Sequence, residues 1–394
     1  MKRKRFIALI IIITTLMTTA FSRNVLADTS DANLNITSTS ALLMEGSTGE
    51  IIFEKNKDER LKPASITKVM TLLLIFEAIE SGKINLTDQV VVSEYAASMG
   101  GSQVYLEPFE TQDVNTMIKC ISIASANDAS VAMAEYIAGS EEAFVAKMNE
   151  RAKELGMLNT NFVNACGLDV DNHYSSAYDV ALMSRELITK HREISNYATI
   201  WMDTIIHTTK KGQSEFGLTN TNKLIRFYKG ITGLKTGSTG LAKYCLSATA
   251  NKEGMDLIAV ILAAPDTKTR FGEATKLLDY GFANASIFKD NNEDLVVSPI
   301  PVNKGVTTSV SYKPMNEFSY LCLKDVNPSD IKKEITLAES LVAPINENDK
   351  VGEITYSLNG KKIGSINLVA SESINKAGFK DYFFRVLKDY FLGK

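Results

Sequence analysis

Histidine and cysteine are scarce in this 394-residue chain, and their positions exclude more than their numbers do. The three histidines, His173, His191 and His207, are scattered, and no HExxH occurs, so a histidine-rich metal centre has no basis. The four cysteines, Cys120, Cys166, Cys245 and Cys322, lie far apart without a CxxC, which leaves neither a zinc cage nor a dense disulfide framework to read. Buried thiols, no metal and no cofactor are the expectation. No basic stripe interleaved with aromatics is present and the formal charge is -3, the wrong sign for phosphate attraction, so nucleic acid is not an expected partner. With 8 Pro, 23 Gly, 45% hydrophobic and 23% charged residues, disordered, collagen-like and low-complexity classes are excluded as well. What remains is a globular chain long enough for two domains of about 150 residues each.

The chain opens on Met-Lys-Arg-Lys-Arg5, continues through the mostly apolar Phe6 to Met17, and reaches Val25-Leu26-Ala27. A basic start, an apolar stretch and a small residue before Asp28 are the anatomy of a signal peptide over residues 1–27. The alternative is an uncleaved anchor, against which the apolar stretch falls short of the about 20 residues that cross a bilayer. Removing the segment takes away Lys2, Arg3, Lys4, Arg5 and Arg23 and no acid, which moves the formal charge from -3 to -8. An exported, acidic protein working outside the cytoplasm is expected.

Ala41–Met44 and Ile51–Phe53 read as a hairpin around a glycine-containing turn. Ser65 to Glu80 is apolar on nearly every face and too long for a strand, which predicts a buried central helix ending at Ser81-Gly82. Residues 111–156 read as helical, Leu241–Ala250 and Met255–Ala264 as a second hairpin, and Thr267–Phe282 as a further helix. His207 falls in an alternating run and reads as a strand residue. Strands that open and close a domain around helices predict an antiparallel sheet with helices beside it, an α+β architecture. Beyond Ala285, short runs at Leu295–Val302, Val306–Tyr312, Lys350–Leu358 and Lys361–Ala370 predict a small all-β domain. Phe379, Tyr382, Phe383, Val386, Leu387 and Tyr390 then recur at helical spacing opposite Lys380, Asp381, Arg385, Lys388 and Asp389. Such an aromatic face suits the lipid boundary, while packing on its own domain is the alternative.

Pro63-Ala-Ser65-Ile-Thr-Lys68 stands at the start of the central helix, where a spacing of three puts the hydroxyl and the amine on one face. A desolvated lysine loses its proton readily and can serve as base to a serine nucleophile. Alone, the spacing is a weak signal that better suits a capping serine beside a solvated lysine. Ser125-Ala-Asn127 and Lys235-Thr-Gly237 follow in order, however, and the combination resembles the penicillin-recognising serine acyltransferases. The segments Pro63 to Lys68, Ser122 to Ala129, Gly167 to Asp179 and Thr219 to Ala248 look like the low-molecular-mass D-alanyl-D-alanine carboxypeptidases of peptidoglycan maturation. The likeness runs from about residue 35 to near the C-terminus, with Tyr178 where that family usually places arginine.

The resemblance implies a β-lactamase/transpeptidase-like catalytic domain over residues 28–284, a small β-rich domain over 285–376 and an amphipathic helix over 377–394. It implies that Ser65 attacks the penultimate D-alanine carbonyl while Lys68 takes its proton, and that the backbone N–H groups of Ser65 and Ser238 hold the oxyanion. Ser125 would relay a proton to the leaving D-alanine, Asn127 would hold the peptide amide and Lys68, and Lys235, Thr236 and Gly237 would bind the substrate carboxylate end. The implied partners are a stem peptide ending in D-Ala-D-Ala, β-lactams as inhibitors, and the outer face of the cytoplasmic membrane through residues 379–394. The rivals are a β-lactamase, a transpeptidase and a catalytically silent wall-binding protein. The first commonly needs a Glu-x-x-Leu-Asn segment, and Glu154 precedes Leu158-Asn159 by one residue too many.

Overall fold

A computed structural model describes residues 34–210 and 212–392, so the expected signal peptide, its cleavage point and Lys394 lie outside the described residues. Five strands form an antiparallel sheet in the order Ile51–Lys55, Ser40–Glu45, Met255–Ala264, Lys243–Lys252, Ile231–Thr239. Successive residues of a strand point to opposite faces, and both faces here are covered. Leu42, Met44, Ile258, Val260 and Leu262 pack into one core with the helix Lys68–Glu80, while Ala41, Leu43, Leu257, Ala259 and Ile261 pack into another with Thr267–Asn284. Burial on both sides is why Leu257–Ala264 reads as an unbroken apolar run rather than an alternating one.

The central helix Lys68–Glu80 is buried along most of its length and ends where Gly82 takes a φ of 69°. Ser65–Thr67, expected as the start of this helix, instead belongs to a tighter 3-10 turn, Ala64–Thr67, leading into it. The region expected to be helical from residue 111 begins instead with Thr111–Asp113, a short strand paired with Gln89–Val91. Asp113 ends that pairing because its carboxylate accepts from Thr116 N at 2.6 Å and caps the helix Val114–Ile123. The helices Asn127–Ala138, Glu141–Glu154 and Ala177–Lys190 complete the helical layer, and a hairpin of Met202–Thr209 and Gly212–Thr219 follows, with His207 in its first strand. Tyr178 is half-buried against the core and its N–H donates to Lys57 O at 3.0 Å.

After Asn284 the chain turns directly into the strand Ala285–Asp290, which pairs with Phe318–Leu323. Four- and three-stranded sheets follow, around a core that includes Ile354, Leu368 and Tyr356, the last stacked on Phe318 at 3.8 Å. Lys350–Leu358 and Lys361–Ala370 are strands as expected, whereas the Leu295–Val302 run yields only Ile300–Asn303. Pro299 has no N–H to give a ladder and Val296 is 83% exposed, so nothing recruits the first half of that run into a sheet. Ser309–Val310 and Tyr312–Pro314 are all that forms at Val306–Tyr312 and its end. The helix Phe379–Leu392 closes the described chain.

Candidate active site

Ala64 takes a left-handed φ of 49° and the 3-10 turn that follows presents Ser65 beside the first residue of the central helix. Lys68 Nζ lies 3.1 Å from Ser65 Oγ, and it also donates to Asn127 Oδ1 at 2.6 Å and to Cys166 O at 2.7 Å. Lys68 has no exposed surface, and this desolvation pulls its pKa from 10.5 to about 8 against the opposing influence of Cys166 and Asp128. A neutral amine keeps two protons and one lone pair. Two acceptors fixed on the Asn127 and Cys166 sides therefore leave the lone pair for the Ser65 hydroxyl.

Asn127 heads the helix Asn127–Ala138, where its Nδ2 donates to Gly100 O at 2.6 Å and its backbone N–H to Ser102 O at 2.7 Å. Its amide is thereby held with the oxygen toward Lys68. Ser125 sits just before this helix in a left-handed conformation of φ 61°, buried, with an Oγ that finds no partner among the described residues. Buried hydroxyls are nearly always paired, so this one is available to whatever enters.

The strand Ile231–Thr239 brings Lys235, Thr236, Gly237 and Ser238 alongside the Ser65 turn. A Cβ on Gly237 would lie 2.9 Å from Ser65 N and 3.0 Å from Pro63 O, so only glycine allows the strand to come this near the Ser65 backbone. Lys235 is buried and its Nζ donates to Thr236 O at 3.0 Å. Burial, then the charges of Lys68 and Arg270, hold its pKa far below the usual lysine value. No carboxylate pairs with Lys68, Lys235 or Arg270 among the described residues. Thr236 Oγ1 donates to Thr221 Oγ1 at 2.6 Å.

Four further residues shape the site without having been singled out as site residues from the sequence. Arg270, in the helix Thr267–Asn284, donates through Nη1 to Gly237 O and Cys245 O, each at 3.2 Å, which fixes the strand from behind. Thr221 anchors Thr236. His173, given a structural loop role from the sequence, accepts at Nδ1 from Val163 N at 3.0 Å and so presents Nε2–H to Thr67 Oγ1 at 2.8 Å. Its burial lowers the pKa to about 4, keeping the ring neutral for that task. Gly167, at φ 89°, lies where a Cβ would fall 1.9 Å from Ala64 O. Glu154, the near-match to a water-activating base, instead pairs with Arg151 at 3.1 Å with its side chain 56% exposed.

A profile of D-alanyl-D-alanine carboxypeptidases matches residues 27–266, and one described as penicillin-binding protein 5, C-terminal domain, matches residues 282–376. The chain belongs to the D-alanyl-D-alanine carboxypeptidase family. It is 44% identical to D-alanyl-D-alanine carboxypeptidase DacF of Bacillus subtilis (strain 168), over 89% of each chain. It is 33% identical to DacA of Escherichia coli (strain K12), over 93% of this chain and 92% of that one. Penicillin binding protein 5 from Haemophilus influenzae superposes with a TM-score of 0.71 at 32% identity, covering 86% of this chain and 98% of the other. Streptomyces K15 DD-transpeptidase, in a mutant form, matches at a TM-score of 0.58 and 28% identity over 63% of this carboxypeptidase and 98% of its own chain. This carboxypeptidase is a serine-type enzyme with an α+β transpeptidase-like fold followed by an all-β region.

Proposed function

We propose that the enzyme removes the terminal D-alanine from peptidoglycan stem pentapeptides through an acyl-enzyme on Ser65. The observation that carries this reading is the fully buried Lys68, 3.1 Å from Ser65 Oγ and with its pKa lowered to about 8. Lys68 takes the Ser65 proton as Oγ attacks the penultimate carbonyl, and the N–H groups of Ser65 and Ser238 stabilise the oxyanion. The unpartnered Ser125 hydroxyl passes a proton to the departing D-alanine, Asn127 orients Lys68 and the peptide amide, and Lys235 with Thr236 and Gly237 binds the free carboxylate end. Water then releases the shortened peptide. A β-lactam offers a strained amide beside a carboxylate and forms the same ester. We assign the catalytic domain to residues 28–284 and the β-rich domain to 285–376. Incubation of residues 28–394 with a D-Ala-D-Ala peptide should release D-alanine, and benzylpenicillin should add its mass to the tryptic peptide containing Ser65. Mass on another peptide, or none, would sink the assignment.

We also infer export through residues 1–27 and attachment to the outer membrane face through residues 377–394. No helix among the described residues is long and apolar enough to cross a membrane. Phe379, Phe383, Val386 and Tyr390 nevertheless stand 85%, 52%, 67% and 82% exposed, while Arg385 ties the helix to the β-rich region by donating to Gly305 O at 2.8 Å. Apolar rings left in water on an anchored helix support a lipid surface. Phe383→Asp with Val386→Asp should abolish flotation with anionic vesicles and leave release of D-alanine from a soluble peptide unchanged; retained flotation would place the membrane contact elsewhere.

A further inference from the structure

A cavity of about 420 Å³ opens at the Met202–Thr209 and Gly212–Thr219 hairpin, with Tyr105, His207, Ser214 and Phe216 in its lining. His207 is only 6% exposed, and its Nε2 finds no partner among the described residues. Its other nitrogen is committed: Nδ1 lies 2.8 Å from Oε1 of Glu110, a side chain with no exposed surface. Gln112 Nε2 donates to the same Oε1 at 2.8 Å and to Ile206 O at 2.8 Å, tying the carboxylate to the hairpin. A carboxylate accepts, so Nδ1 carries a proton, and in the neutral ring Nε2 then offers a lone pair. That lone pair is left without a donor in the lining of the cavity. Ser214 is the cross-strand partner of His207 and so shares its face of the hairpin. Tyr105, 67% exposed, meets Phe216 edge to face at 5.8 Å and forms an apolar wall.

Both walls are continuous in sequence with segments that hold active-site residues. The loop carrying Tyr105 begins with Gly100 and Ser102, whose carbonyls hold Asn127, and the hairpin runs on to Thr221, which holds Thr236. Phe216 to Thr221 spans about 17 Å if extended, and a five-residue stem reaches about as far.

We propose that this cavity is a distal substrate subsite, in which His207 Nε2 accepts a hydrogen bond from an N–H or O–H on the sugar-proximal half of the peptidoglycan stem while Tyr105 and Phe216 pack against it. The inference rests on the carboxypeptidase reading. The donor comes from the stem peptide or from the amino sugar joined to it, and substrate length separates the two. The test compares kcat/KM for diacetyl-L-Lys-D-Ala-D-Ala, a free stem pentapeptide and a disaccharide pentapeptide. His207→Phe should lower the disaccharide pentapeptide value by about five- to tenfold, mainly through KM, while the blocked tripeptide changes less than about twofold. His207→Gln, whose amide oxygen can accept, should restore most of the loss. A loss shared by the free pentapeptide assigns the donor to the peptide, and a loss confined to the disaccharide form assigns it to the sugar. Equal losses on all three substrates would make His207 a structural residue and overturn the proposal, as would no loss on any. Tyr105→Ala, at an exposed position, should show the same dependence on substrate length even if His207→Phe fails to fold. Wild-type enzyme that releases no D-alanine from any of the three would instead fail the carboxypeptidase reading itself.

Discussion

Lys68→Ala will lower kcat/KM for a D-Ala-D-Ala peptide by about a thousandfold or more, and Ser65→Ala will reduce it to background. Lys68 is the group through which Ser65 acquires nucleophilic character, and its environment sets the pH at which this happens. The amine acts as base only when neutral, and its pKa is lowered from 10.5 to about 8. At pH 7 roughly a tenth of the molecules hold it in that form. The rate of acylation should therefore rise about tenfold per pH unit below pH 8 and level off above it. Lys68→Arg will not restore activity, because a guanidinium keeps its proton throughout this range. Penicillin capture measured between about pH 6 and pH 9 reads the same base without release of a separate leaving group, and a flat profile would remove Lys68 from the role.

Much of this site was legible because its groups are carried on short spacings. Ser65 and Lys68, three residues apart, come together as the spacing requires, and Asn127 reaches Lys68 once its helix start is held by Gly100 and Ser102. Arg270 was not legible, because a lone arginine in the Thr267–Phe282 window looks like a solvated helix residue. Its meaning comes from packing: only the placement of that helix behind the sheet brings the guanidinium to Gly237 O. Thr67 and His173 likewise meet across 106 residues of sequence. In the β-rich part, Lys350–Leu358 and Lys361–Ala370 were readable because Asn359-Gly360, both at positive φ, mark the turn between them. Phe318–Leu323 and Lys332–Leu337 were not identified as strands, since what recruits them is a partner elsewhere in the chain, Ala285–Asp290 for the first and Lys350–Leu358 for the second.

Lys235→Ala will reduce kcat/KM by about a hundredfold or more, and by a similar factor for penicillin, because the site is electrostatically incomplete without the ligand. Three cationic side chains, Lys68, Lys235 and Arg270, are buried together, and none has a carboxylate partner among the described residues. Desolvation of each is uncompensated in the free enzyme, as the lowered pKa values of all three reflect. A substrate carboxylate arriving at Lys235 and Thr236 supplies the missing counter-charge and draws the proton equilibrium of Lys235 toward the charged form. Ligand binding should therefore raise the Lys235 pKa again, and this gives a readout separate from rate. When a carboxylate-bearing ligand binds in weakly buffered solution, Ser65→Ala protein should take up more protons than protein carrying both Ser65→Ala and Lys235→Ala. Arg270→Leu should act differently, weakening both ligands less because it touches the strand at Gly237 O rather than the carboxylate. If Lys235→Ala left affinity for the free carboxylate unchanged, the counter-charge would have to come from Arg270, and the order of the two effects would reverse.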